Sequence, residues 1–371
     1  MKKLKVLHVL KEIKFSGAEL MLNIAAQEFS ARNIELHALA LGQQRGDYAD
    51  ILQSSGYQIH HIPFSYSVSF WNKFTKLLKA EKFDVVHVHP EKECFYISAI
   101  CKYARVKKVV ATIHNVFGII HKKPVLRKMR WKRYIARNFF GLQYLSIGQS
   151  VQETEEEILK NPTILIPNWI DESKFYASQD NQEKLTIRKE FNIPEKAFVL
   201  ISVGACSHVK NQKDILQAMP KILEQVPHAI YILVGDGPKK AEYEQLALDL
   251  GIKEQVYFWG QTERVRDVLV ASDVFVMPSK FEGLGNSLLE SLYCEIPAVV
   301  YNVYGLKDLI INERNGFIGK CEPEFLTQKI MFLAKHPDII LQMGNQASKI
   351  AKEEYNLKKS IDRLYKVYTS K

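Results

Sequence analysis

The sequence predicts an α/β protein made of two doubly wound, Rossmann-like domains. Two observations carry that expectation. Short apolar, β-branched runs alternate with longer amphipathic stretches from end to end, the pattern of parallel sheets covered by helices. A chain of 371 residues also exceeds one ordinary compact core, so two domains of roughly 150–200 residues are expected.

Taken in order, the runs that read as strands in the first half are Leu4–Leu10, Glu35–Leu41, Gln58–Ile62, Val85–Val88, Lys108–Ile113, Leu142–Ile147 and Thr163–Ile166. Each stops at a polar or loop-forming stretch. The opening residues imitate a signal peptide, but Lys5, His8, Lys11 and Glu12 interrupt the apolar run, and a first strand is the better reading. A polar segment, Asp171 to Glu190, then precedes a second strand series: Ala197–Val203, Ala229–Val234, Gln255–Phe258, Asp273–Met277 and Ala298–Tyr301. The hinge is therefore expected near Pro167–Asp171, with domains at 1–168 and 169–351. In doubly wound sheets ligands bind outside the carboxyl ends of the strands, so two facing sheets would enclose a cleft. Glu353–Tyr368 reads as a last amphipathic helix, with Tyr355, Leu357, Ile361, Leu364, Tyr365 and Tyr368 on or near one side.

Composition narrows the function classes. With 47% hydrophobic and 25% charged residues the chain lies in the ordinary globular range, which excludes a disordered polypeptide. No run of about 18 apolar residues occurs, so a soluble or peripheral protein is expected. Five scattered cysteines form no C-x-x-C pair and no zinc-like spacing with histidine, which argues for a reducing compartment and against a structural metal.

The net charge of +10 is uneven: residues 1–170 hold 25 Lys/Arg against 14 Asp/Glu, and residues 171–371 hold 26 against 27. Residues 101–150 contain 12 basic residues and no acid. Within them, His121 to Phe140 reads as a basic helix with Pro124 in its first turn. Arg127, Arg130, Arg133 and Arg137 recur on one face, suited to an acceptor or an anionic membrane surface; a merely solvated face fits the same pattern. No nucleic-acid recognition motif accompanies the charge.

The most informative segment runs from Ser272 to Glu290, SDVFVMPSKFEGLGNSLLE. A buried strand enters a glycine loop, and the loop enters a helix. The amides of Gly285, Asn286 and Ser287 would lie at that helix N-terminus, where orphan N–H groups and the helix dipole favour a diphosphate. Glu282, beside Gly283, can reach the sugar side of such an anion, and Glu290 can accept from a ribose diol. Ser287 to Glu290 is equally a capping box, S-x-x-E, which needs no ligand; that reading leaves Glu282, Gly283 and Gly285 unexplained.

The E-x7-E spacing, with E-G-x-G after a D-V-x-V-x-P-S strand, resembles glycosyltransferase family 4, of the glycosyl transferases group 1. Other segments match in the same order. Ser16-Gly17-Ala18-Glu19 resembles the G-G-A-E loop, Ile113-His114-Asn115 the strand end with the family histidine, and Ile166 to Asp171 the I-P-N-G-I-D element, with Trp169 for glycine. Val234-Gly235-Asp236-Gly237-Pro238 resembles the V-G-x-G-P turn. Singly these are weak: His114 also fits a structural histidine, and Gly235 a plain strand-to-helix turn.

The resemblance implies a GT-B fold, with the last helix returning to the first lobe from about residue 352 to 371. It also implies a retaining, metal-independent transferase without cofactor. Glu282, His114 and Lys210 would be catalytic; Gly17, Gly204, Gly235, Gly260, Gly283, Gly285, Asn286, Ser287 and Glu290 would line the donor site. One departure stands out. Val203 to Asn211 resembles V-G-R-x-x-x-x-K-N, yet Ala205 replaces the arginine that helps neutralise the donor diphosphate, leaving Lys210 and, as a substitute, His208.

The expected donor is a nucleotide-sugar, UDP ahead of GDP, and the expected acceptor a saccharide or polyprenyl-diphosphate-linked glycan of cell-surface, capsular or exopolysaccharide synthesis. The expected place is the cytoplasm or the inner membrane face. An epimerase of the same architecture and a non-catalytic nucleotide-sugar-binding protein remain the alternatives.

Overall fold

The computed structural model describes residues 3–116 and 122–370. His121, where the basic run begins, and Lys371, the end of the expected last helix, lie outside the described residues. The chain separates into two compact units, Met1–Trp169 with Tyr355–Lys371, and Ile170–Glu354.

In the first unit strands and helices alternate: β1 (Leu4–Leu10), α1 (Gly17–Ala31), β2 (Ile34–Ala40), α2 (Ala49–Ser54), β3 (Gln58–His61), α3 (Val68–Glu81), β4 (Val85–Val88), α4 (Glu91–Tyr103), β5 (Lys108–Ile113), α5 (Lys123–Phe140), β6 (Leu142–Ser146), α6 (Gln149–Glu153), a π-turn at Thr154–Ile158, and β7 (Ile164–Leu165). The second unit follows with α7 (Asn181–Glu190), β8 (Phe198–Val203), α8 (Lys213–Gln225), β9 (Ala229–Val234), α9 (Lys240–Asp249), β10 (Val256–Gly260), α10 (Val265–Val270), β11 (Val274–Met277), α11 (Asn286–Tyr293), β12 (Ala298–Tyr301), β13 (Gly316–Gly319), α12 (Pro323–Lys335) and α13 (Pro337–Glu354). Helix α14 (Leu357–Thr369) belongs to the first unit.

The first sheet has the order β3-β2-β1-β4-β5-β6-β7 and the second β10-β9-β8-β11-β12-β13. Every strand pairing is parallel. Parallel strands covered on both faces read as continuous apolar runs, and β1, β4, β8, β9 and β11 are buried along most of their length.

Strand β13 escapes sequence reading because it offers only Phe317 and Ile318 between two glycines. Gly316 is needed there: a Cβ would lie 2.4 Å from the Ala298 carbonyl oxygen across the pairing. The last helix is also shorter than its pattern suggests. Glu353 and Glu354 finish α13, and α14 restarts at Leu357, where the Asn356 side chain accepts from the Lys359 amide. Ile361, Leu364, Val367 and Tyr368 of α14 pack into the core under β1, β2 and α1, beside Trp169.

Candidate active site

Doubly wound sheets open a crevice where the strand order reverses, because neighbouring strands there send their following loops to opposite sides. In the second unit the reversal falls between β8 and β11. The loops after these two strands are tied together: the Lys280 amide donates to the Val209 carbonyl at 2.8 Å, and the Asn211 side chain to the Pro278 carbonyl at 3.3 Å. Across them Lys210 Nζ meets Glu282 Oε1 at 2.8 Å, with side chains 25% and 12% exposed. Two of the sequence-predicted catalytic residues thus form one ion pair at the switch point.

Glycines shape the floor of this loop pair. Gly204 adopts φ +148°, and a Cβ on it would touch Lys210 Cε at 3.3 Å. Gly235, at φ +135°, lies so close to Gly204 that a Cβ would fall 2.2 Å from its carbonyl oxygen. The Gly235 amide in turn donates to the Gly260 carbonyl at 2.7 Å. Gly204, Gly235 and Gly260 therefore lie together at the carboxyl ends of β8, β9 and β10. Gly283 is buried in the loop before α11.

Helix α11 begins after Gly285, which sits in the left-handed region at φ +87°. This overturns the capping box. The helix N-cap is Gly285, and the Ser287 hydroxyl donates to the Val203 carbonyl of β8 at 2.9 Å instead of capping the helix. Glu290, a full turn inside the helix, cannot reach back to the cap. Burial pushes its carboxyl up to about 8, with the Lys210 charge pulling the other way. Asn286 opens the helix.

The reading of His208 also changes. Its Nε2 lies 2.9 Å from Lys280 Nζ. An ammonium has no lone pair, so the ring accepts and the positive charge at this place is carried by Lys280. Sequence reasoning missed Lys280, although its position two residues before Glu282 was a signal. Ala205 is exposed, and its carbonyl receives the Gln212 side chain at 3.1 Å.

In the first unit, Gly17 starts α1 directly after the β1 loop, and the Ser16 hydroxyl donates to the Glu19 carboxylate, whose pKa burial raises. His114 follows β5. Its Nε2 lies 3.2 Å from His89 Nδ1, and His89 Nε2 lies 3.2 Å from His8 Nδ1. His87 bonds the Tyr368 hydroxyl at 2.6 Å and the Thr112 hydroxyl at 2.7 Å. Burial lowers the pKa of all four rings, His114 to about 4 and His8 to about 3. The nitrogens of His8, His87 and His89 approach within 4.8 Å of one another, close enough to ligate a cation. They are engaged with one another or with hydroxyls except His8 Nε2, which is buried without a partner. The signal for this cluster was present in Val85-Val86-His87-Val88-His89: residues two apart on a strand share a face.

Trp169, the departure from the family glycine, is buried and donates from Nε1 to the Met21 carbonyl at 3.1 Å. It closes the core of the first unit just before the chain leaves it.

The basic helix α5 requires a correction. Arg133 does not belong to the exposed face; it is 4% exposed and bonds Glu155 through Nε at 2.6 Å and Nη2 at 2.7 Å, and also Glu91. Arg127 and Arg130 are exposed and Arg137 is half-buried, with Arg130 Nε donating to the Ile158 carbonyl at 2.7 Å. Trp131, Tyr134 and Phe139 are 58%, 57% and 62% exposed, so the outer face is aromatic as well as basic.

Comparison with known proteins shows the family. The model described as Glycosyltransferase Family 4 matches residues 15–174, and the model described as Glycosyl transferases group 1 matches residues 183–353. The chain belongs to glycosyltransferase family 4.

Curated relatives agree across most of the chain. It is 27% identical to N-acetyl-alpha-D-glucosaminyl L-malate synthase of Bacillus anthracis over 325 residues, covering 84% of this chain and 81% of that protein. It is 28% identical to the UDP-Gal:alpha-D-GlcNAc-diphosphoundecaprenol alpha-1,3-galactosyltransferase of Escherichia coli over 302 residues, 79% of this chain and 77% of that one. Among solved structures, Anabaena Alr3699/HepE in complex with UDP superposes with a TM-score of 0.87 at 18% identity, over 99% of this chain and 100% of that chain. The fold is GT-B. This family 4 member is a glycosyltransferase that takes its sugar from a nucleotide-sugar donor. No helix among the described residues is long and apolar enough to cross a membrane.

Proposed function

We propose that this enzyme transfers a hexosyl or N-acetylhexosaminyl group, with retention and without a metal, from a UDP-sugar to a saccharide or polyprenyl-diphosphate-linked acceptor in cell-surface polysaccharide synthesis. The Lys210–Glu282 ion pair at the β8/β11 switch point, beside the α11 N-terminus, carries the reading. The bond from the anomeric carbon to the diphosphate oxygen breaks. Lys210 and the amides of Asn286 and Ser287 meet the charge that develops on the departing diphosphate. Glu282 releases part of its hold on Lys210 and orients the sugar. Glu290 accepts from the ribose, and Gly204, Gly235, Gly260, Gly283 and Gly285 let backbone approach the donor. The family resemblance gives Gly17 a role toward the donor phosphates and His114 a role toward the sugar. The acceptor oxygen bonds the anomeric carbon on the face that the diphosphate leaves, and its proton passes to the leaving diphosphate.

UDP is favoured by the names of the relatives, one of which moves galactose from UDP-Gal and one of which was solved with UDP. The exposed Arg127, Arg130, Trp131, Tyr134 and Phe139 support a peripheral position on an anionic, cytoplasmic membrane face, where a lipid-linked acceptor resides.

A screen of UDP- and GDP-sugars for thermal protection selects the donor, since a ligand at a hundred times its dissociation constant stabilises by about 2.7 kcal/mol. Transfer with the selected donor is then followed with and without EDTA, and the anomeric configuration of the product is read by NMR. Loss of activity in EDTA, or an inverted anomer, would overturn the proposal. Ala205 favours one second reading, a donor-binding protein without turnover; donor protection with neither transfer nor donor hydrolysis would establish it.

A further inference from the structure

The sheet of the first unit brings three histidines behind His114. His8 on β1 and His87 on β4 are register partners across the pairing, and His89 follows two residues later on the same face. The rings stack in sequence, with centroids 5.5 Å apart for His8 and His89 and 5.5 Å for His89 and His114, while His87 stacks on His89 at 4.3 Å. They line a cavity of about 30 Å³ together with Met21, Ile147 and Leu364.

Nitrogen-to-nitrogen contacts of 3.2 Å link His8 Nδ1 to His89 Nε2 and His89 Nδ1 to His114 Nε2. Each contact needs one nitrogen with a hydrogen and one with a lone pair. Loss of solvent lowers the pKa of all three rings and keeps them neutral, so each carries a single N–H. The direction of one bond therefore fixes the other, and the chain has two arrangements.

If His114 donated inward, the last N–H would fall on His8 Nε2, which is sealed and meets no acceptor. If His8 donates outward from Nδ1, that sealed atom carries a lone pair instead. An orphaned buried N–H is the rarer and costlier of the two. His87 leaves this choice untouched, because its partners are hydroxyls that donate or accept as required.

We propose that His8 and His89 are positioning residues that hold His114 as its Nδ1–H tautomer, so that it offers a hydrogen-bond donor to the transferred sugar. The role toward sugar rests on the reading under Proposed function; the tautomer does not. His114 then neither acts as a base nor accepts a hydroxyl proton. Its partner on the sugar is an oxygen lone pair.

The full-length protein labelled with 15N-histidine tests this by NMR, through the pyrrole-type or pyridine-type shift of each ring nitrogen. The expected result is a protonated Nδ1 and an unprotonated Nε2 on His114. The opposite tautomer overturns the proposal. A His8→Met variant offers His89 Nε2 a thioether, an acceptor with no hydrogen to give, so the chain of bonds reverses and His114 should shift toward its Nε2–H tautomer. Its kcat/KM should fall by about 3- to 10-fold, the worth of one neutral hydrogen bond, with UDP affinity unchanged. Unchanged tautomer populations in that variant also overturn the proposal. If it fails to fold, the wild-type spectrum alone decides. Absence of transfer with every nucleotide-sugar, alongside the expected tautomer, would sink the proposed function and leave this inference standing.

Discussion

Glu290 is half-buried on α11, and its carboxyl is pushed up to about 8 by loss of solvent. Free enzyme at pH 7 therefore holds a neutral acid there. A group with a pKa near 8 keeps its proton in about ten of eleven molecules at pH 7. If Glu290 accepts two ribose hydroxyls, those bonds favour the carboxylate and bring it back toward the ordinary carboxylate range. Binding of UDP must then release about 0.9 proton at pH 7. Calorimetric titration with UDP in two buffers of different ionisation enthalpy measures this number directly. Glu290→Gln, which copies the neutral acid, should bind UDP with no proton release. Wild-type titrations that superpose in the two buffers would refute the ribose-acceptor assignment. The same shift sets a stability trend: the folded state holds this proton more tightly than the unfolded, so stability falls as pH rises from the carboxylate range toward 8. Glu290→Gln should flatten that decline, as read from unfolding midpoints across the pH series.

Four further outcomes are expected. Lys210→Ala removes a charge-assisted contact to the leaving diphosphate and should lower kcat/KM by about 10- to 100-fold, for roughly 1.5–3 kcal/mol; near-normal transfer would exclude Lys210 from the chemistry. Ala205→Arg restores a second cation at an exposed position and should raise kcat/KM, whereas lower turnover in steady-state assays would show that Lys280 already fills that place. Arg133→Met removes the cation that the buried Glu155 and the half-buried Glu91 share and should cost about 3–5 kcal/mol of stability by denaturant unfolding. Arg127→Glu with Arg130→Glu should leave that stability nearly unchanged and abolish sedimentation with anionic liposomes at low salt.

The two αβ series were legible because a parallel strand buried on both faces must be apolar throughout, and that signal survives in a single sequence. Leu4–Leu10, Val85–Val88, Lys108–Ile113, Ala229–Val234 and Ala298–Tyr301 end where their apolar runs end. Gly316–Gly319 left no such trace, since its buried Phe317 stands between glycines and close backbone approach holds Gly316 to β12. At the site, Lys210 and Glu282 were legible as a pair of motif positions. Their ion pair, 72 residues apart in sequence, was not.

What the sequence determined alone is therefore the kind of fold, the family and the motif-bearing loops, because each follows from local periodicity and short spacings. Which charges face one another was decided only by tertiary structure. Arg133 reads as one more cation on a basic helix until packing turns it against two glutamates. Ser287 and Glu290 read as a reciprocal cap until Gly285 takes that place and the serine turns to β8. His8, His87 and His89 read as scattered strand residues until the sheet stacks them behind His114. In each case the deciding contact joins segments distant along the chain, and no local pattern encodes the direction in which a folded sheet aims a side chain.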